Sequence, residues 1–103
     1  MTDRYTLLVL RPSGASTVTH QSGEPSLHQL QAAVDGYIQH VPRFERYLEH
    51  RCDVYANEEG LLRGLPLNKP ATVLWNKELE RLLGDAAGVG RLYGDVVIVW
   101  RDE

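Results

Sequence analysis

Apolar positions gather in short continuous runs near the two ends of the chain and at helical spacing between them. Leu7-Leu8-Val9-Leu10 is unbroken, the pattern of a strand covered on both faces, so Tyr5 to Leu10 is predicted as a strand. Arg11-Pro12 ends it, because proline cannot donate to a ladder, and Ser13 to Ser16 is turn chemistry. Thr17 to His20 has the β-branched content of a short edge strand. Ser26 and Gln29 stand at capping-box spacing, and Leu27, Leu30 and Val34 then fall on one helical face. Asp35-Gly36 stops this helix, with Gly36 expected in the left-handed conformation.

Tyr37 to Val41 alternates and is assigned as a strand, although a continuing helix would bury Tyr37 and Ile38 equally well. Over Pro42 to His50, Phe44, Tyr47 and Leu48 have helical spacing, which leaves helix and loop both open. Arg51 to Ala56 is strand-like, Asn57 to Gly60 is a turn, and Leu61-Leu62-Arg63 is expected to return as its hairpin partner. Asn68 caps a second helix with Pro70 in its first turn; Ala71, Leu74, Trp75, Leu79, Leu82 and Leu83 form its apolar stripe, and Gly84-Asp85 ends it. Val96 to Trp100 is β-branched and wholly apolar, the signature of a central strand. The order is β-β-α-β-β-β-α-β. It predicts a single α+β domain over residues 1–103, with two helices packed on one face of a mixed, mainly antiparallel sheet. The two most apolar strands, at the chain ends, are expected side by side in its middle.

Composition narrows the function classes. The 103 residues hold 43% hydrophobic and 24% charged positions, which is globular rather than disordered. The 14 acids and 11 Lys+Arg give a net charge of -3, against the basic excess of a general duplex-binding protein. One cysteine, Cys52, excludes an intramolecular disulfide and a Cys-rich zinc site. The longest apolar runs, Leu7 to Leu10 and Val96 to Trp100, fall far short of the ~20 residues that cross a bilayer. No secretory pattern opens the chain, so a cytoplasmic protein without membrane contact is expected. Dimerisation would bury more surface on so small a chain, which keeps a homo-oligomer open.

Five motifs are more particular than the pattern of elements: Gly36-Tyr37-Ile38-Gln39, Asn57-Glu58-Glu59-Gly60, Leu65-Pro66-Leu67-Asn68, Ala71-Thr72 and Gly94-Asp95-Val96-Val97-Ile98. In this order and at these intervals the chain resembles the domain-of-unknown-function family 3846, small proteins of phages, plasmids and their bacterial hosts. The resemblance runs from about Leu27 to Val99 and also suits the first strand. Asp35 stands where the pattern has a second glycine, and Gln39 where it has an acid. The family implies a phage or mobile-element setting inside a bacterial cell and no established reaction; genes of that kind often act in host takeover or anti-defence.

Candidate chemistry is sparse. Asn57-Glu58-Glu59-Gly60 sets two carboxylates side by side, able to meet a cation or a basic partner, but an exposed tip does not split their pKa values for acid–base work. Asn68 and Lys69 stand at a helix N-terminus whose free N–H groups suit a phosphate or carboxylate; the plainer reading is that Asn68 only caps the helix. Arg43, Arg46, His50 and Arg51, interleaved with Phe44 and Tyr47, form the one basic-aromatic cluster, suited to a nucleotide or to a solvated face. Gly94-Asp95 places Asp95 before the last strand, at a sheet edge near the Asn68 cap or simply in a turn. His50 and Cys52, two apart, lack the further ligands of a metal site and the geometry of a nucleophile–base pair. No catalytic group, metal site or cofactor is therefore expected.

The reading that follows is a small non-enzymatic protein that binds a host factor or a small anionic or nucleotide ligand, through Arg43, Arg46, Asn68 and Lys69. The alternative is a protein–protein inhibitor or adaptor acting through a flat surface anchored by Tyr37, Tyr47, Tyr55 and Trp75. A small enzyme using Glu58, Glu59 or Asp95 ranks third, because no nucleophile–base pair or phosphate loop emerges.

Overall fold

The two apolar end strands pair with each other. In the computed structural model, which describes residues 3–86 and 88–102, β1 (Arg4–Leu10) runs antiparallel to β7 (Val96–Arg101), with Leu8 opposite Ile98. Between them in the chain come β2 (Ser16–Ser22), α1 (Leu27–Val34), β3 (Ile38–His40), β4 (Arg46–Tyr47), β5 (His50–Arg51), β6 (Asp53–Asn57) and α2 (Lys69–Leu83). The main sheet has the order β2-β1-β7-β6-β3, and β4 and β5 form a separate small hairpin. All of these ladders are antiparallel, so the parallel pair that a mixed sheet would need is not among them.

The helices cover opposite faces, which corrects the one-face arrangement expected from the sequence. Leu8, Leu10, Val54, Ala56, Val96 and Ile98 pack towards Ala71, Leu74 and Trp75 of α2. Leu7, Val97 and Val99 pack towards Leu30 and Val34 of α1. The physical reason is the two-residue period of a strand. A run apolar at every position has two apolar faces, and each needs its own cover. Val96, Val97 and Ile98 are wholly buried, each contributing roughly 1.5–3 kcal/mol by transfer from water.

The caps are as the sequence implies. Ser26 and Gln29 make the reciprocal capping box of α1, and the Asn68 side chain accepts the Ala71 N–H at the start of α2. At the end of α1, however, Asp35 takes the left-handed conformation at φ 58° rather than Gly36. Glycine adopts this φ without strain, and aspartate is among the few other residues that tolerate it. Leu61-Leu62-Arg63 is not a strand. The chain instead coils through consecutive turns from Asn57 to Leu65. β6 already has β7 on one edge and β3 on the other, so no edge is left for a hairpin partner.

Candidate functional site

Residues 41–53 build one end of the α2 face. The segment is a turn followed by a hairpin, so the helical spacing of Phe44, Tyr47 and Leu48 does not produce a helix. Phe44 plugs the core at 1% exposure, while Leu48 stands in solvent. α2 holds this segment from below. The Trp75 indole N–H donates to the Pro42 carbonyl at 2.8 Å, and the Glu78 carboxylate accepts the backbone N–H groups of Arg46 at 2.8 Å and Glu45 at 3.2 Å. Arg81 closes on the same carboxylate at 2.8 Å. These donors, the Arg81 hydrogen bond foremost, hold the Glu78 carboxyl below its ordinary range against the opposing effect of burial. Arg43, Leu48 and Glu49 all have positive φ, at 63°, 48° and 69°, so the segment is strained where it meets solvent.

Between this segment and the ends of β1, β6 and β7 lies a cleft of about 490 Å³. Arg43, Arg51 and Arg101 line it beside Trp100, Phe44 and Cys52, with His40, Tyr5 and three carboxylates, Glu24, Glu45 and Asp53. Two of the acids have partners in the wall: Asp53 meets the His40 ring at 3.1 Å, and Glu24 accepts the Tyr5 hydroxyl at 3.3 Å. Arg101 reaches Asp3 at 3.6 Å, while Arg43 and Arg51 make no ion pair among the described residues. The His50 ring stacks on Trp100 with centroids 4.9 Å apart, and Tyr47 lies against the same indole at 5.7 Å. Burial pushes the Cys52 thiol up to about 12, with Asp53, Glu78 and Glu45 adding to the shift, and its Sγ–H points at the Phe44 carbonyl. A thiol so placed is a wall group and not a nucleophile at neutral pH.

A family model described as a domain of unknown function, DUF3846, matches residues 5–103. The chain belongs to this family. No curated protein and no solved structure matches it.

Most of the motif residues of this DUF3846 chain hold its architecture. Asn57 is buried, donates to the Val34 and Asp35 carbonyls at 3.0 and 3.2 Å, and accepts the Glu59 N–H. Asn68 is 0% exposed and fully engaged, capping α2 while donating to the Leu10 and Gly94 carbonyls. Ala71 is buried, and the Thr72 hydroxyl accepts the Leu92 N–H. Asp95 follows Gly94 beside the Asn68 cap, as the sequence suggests, but it leads into the central strand rather than a sheet edge. Glu58 and Gly60 line a second, smaller hollow of about 200 Å³ with Gln39, Arg91 and Tyr93, while Glu59 is exposed outside it.

Of the four residues expected to hold an anion, the structure brings only Arg43 to the large cleft. Arg46 is exposed but not in its lining, and Lys69 is exposed at the start of α2. Arg101, Trp100, Asp53 and Glu78 were missed. The signal that could have found Arg101 is its place one residue past the apolar run of β7, where a strand leaves the core and a charged side chain marks the rim. The four proposed aromatic anchors do not share a surface: Tyr37 is exposed beyond α1, Tyr55 meets the His40 ring, Tyr47 packs on Trp100, and Trp75 bonds to Pro42. Among the described residues no helix is long and apolar enough to cross a membrane, and no group of three or more His, Cys, Asp or Glu could hold a metal ion.

Proposed function

We propose that the protein binds a small anionic ligand of the nucleotide class in the cleft between the 41–53 segment and the sheet. The observation that carries this reading is the convergence of Arg43, Arg51 and Arg101 on one cleft of about 490 Å³, with Arg43 and Arg51 unpaired among the described residues. That volume suits a nucleotide-sized molecule. Arginine forks match phosphate geometry, the Trp100 indole offers an apolar ring surface, and the acidic wall groups suit hydroxyl or amino donors of the same ligand. The strained backbone at Arg43 supports a binding role, since strain persists where the surroundings over-determine it. The raised Cys52 thiol argues for binding rather than covalent chemistry. In the phage or mobile-element setting that the family resemblance implies, such a protein sequesters a host ligand in the cytoplasm.

Native mass spectrometry of protein taken gently from its cells tests this. The reading predicts a stoichiometric small anion that is released on denaturation and lost in Arg51→Ala and Arg101→Ala. Bare wild-type protein that also takes up none of a panel of nucleoside phosphates would overturn it.

One observation favours a protein partner instead. Leu61 and Leu62 stand exposed at 69% and 88% beside the hollow that Gln39, Glu58 and Gly60 line. On this reading the 58–64 turn docks a host protein, and Leu62→Asp abolishes capture while leaving the cleft intact.

A further inference from the structure

β2 is one of the two edges of the main sheet and, at seven residues, the longer one. Two backbone hydrogen bonds fix its phase: Arg11 N–H donates to the Ala15 carbonyl at 2.9 Å, and Gly23 N–H donates to the Asp3 carbonyl at 2.7 Å. Bonded and non-bonded pairs alternate in an antiparallel ladder, so Thr17, Thr19 and Gln21 bond to β1. Ser16, Val18, His20 and Ser22 therefore direct their N–H and C=O groups away from the sheet, where no backbone group among the described residues meets them. Such edges are usually blunted by lysine, proline, a bulge or a covering element. Ser16–Ser22 contains no charged residue and no proline, its register with β1 is continuous, and six of its seven residues are exposed.

We propose that β2 pairs antiparallel with β2 of a second copy of this chain, about a two-fold axis at Thr19. The strand is complementary to itself in that one register. Val18 then faces the partner's His20, Ser16 faces the partner's Ser22, and Thr17 faces the partner's Gln21. Every outward-bonding residue exchanges both its hydrogen bonds, whereas a slip of two positions strands one of them at an end of the seam. Thr19 meets its own copy in a non-bonded pair, with Cα atoms about 4.5 Å apart and side chains close, an arrangement that threonine pairs favour. No like charges are opposed along the seam. β2 does not line the arginine cleft, so this dimer stands independently of the anion reading.

Cysteine cross-linking reads the register directly. Under mild oxidation Thr19→Cys gives a covalent dimer, because the separation at the axis lies within disulfide reach, while Thr17→Cys, opposite the partner's Gln21, does not. In sedimentation equilibrium the wild-type protein is a dimer. Val18→Pro is a monomer with an unchanged near-UV spectrum, because the Val18 N–H faces the seam and not β1 and its side chain is exposed. If Val18→Pro fails to fold, the two cysteine variants still decide. A wild-type protein that stays monomeric at NMR concentrations, or Thr17→Cys cross-linking as readily as Thr19→Cys, would overturn the proposal.

Discussion

The Asn68 side-chain amide donates to the Leu10 carbonyl at 2.8 Å, joining the first turn of α2 to the end of β1 across 58 residues of sequence. The same amide also reaches Gly94, so one buried side chain ties together a helix start, a strand end and the entrance to β7. Asn68→Ala removes a cap and leaves two carbonyls without this donor, at a cost of about 2–4 kcal/mol in urea unfolding. Asn68→Asp keeps the cap acceptor but turns a buried carboxylate towards two carbonyls, so it is expected to be at least as damaging at neutral pH. A loss below about 1 kcal/mol for Asn68→Ala would remove Asn68 from this structural role and return it to consideration as a ligand group.

Glu78 sets a pH dependence. Its carboxyl lies below the ordinary range when folded, because Arg81 and two backbone N–H groups bond to the charged form. The stability it contributes is present above the unfolded carboxyl value and is lost as pH falls through the folded one. Wild-type protein is therefore expected to lose more stability than Glu78→Gln between about pH 5 and pH 3. Equal slopes of thermal midpoint against pH for the two proteins would contradict this.

Leu48 and Glu49 occupy the centre of a two-residue hairpin turn with both φ values positive, a place that Asn-Gly fills with less strain. Leu48→Asn combined with Glu49→Gly is expected to raise stability by about 1 kcal/mol or more. Denaturant midpoints measure it. An unchanged or lowered midpoint would mean that Leu48 is held by contacts that outweigh its backbone cost.

Cys52 is half-buried with its thiol pushed up to about 12. At pH 8 a thiol-specific reagent should label it far more slowly in the folded protein than in denaturant. Rapid labelling of the native state would show that the cleft wall opens, and would make Cys52 a reactive group.

Much of the fold was legible because local chemistry and tertiary packing agree. Ser26, Gln29 and Asn68 cap the helices that their spacing predicts, and the continuous apolar runs of β1 and β7 mark the sheet centre. Those same runs also hold the information that was misread, since a strand apolar at every position requires cover on both faces. The 42–50 segment misled because Phe44 and Tyr47 do turn inward as a helix would place them, while backbone bonds to Glu78 on α2 decide its conformation. That contact is 33 residues away in sequence for Glu45 and leaves no local trace. The site was legible only in part for the same reason. Arg43 and Arg51 stand in a visible basic cluster, but Arg101 joins them only because β7 lies beside β6 and β1 in the sheet.

The most direct test of the proposal that the cleft binds an anion is a ¹⁵N–¹H NMR titration of the wild-type protein with ADP. The account predicts saturable shifts confined to residues 43–45, 51–53 and 99–101 and to the arginine Nε–H groups, with Lys69 unmoved. Arg51→Ala and Arg101→Ala should each weaken binding by about tenfold or more, as for the loss of a charge-assisted hydrogen bond. Saturable shifts centred on Lys69 and the start of α2, or no saturable shift with ADP or any other nucleoside phosphate, would contradict it.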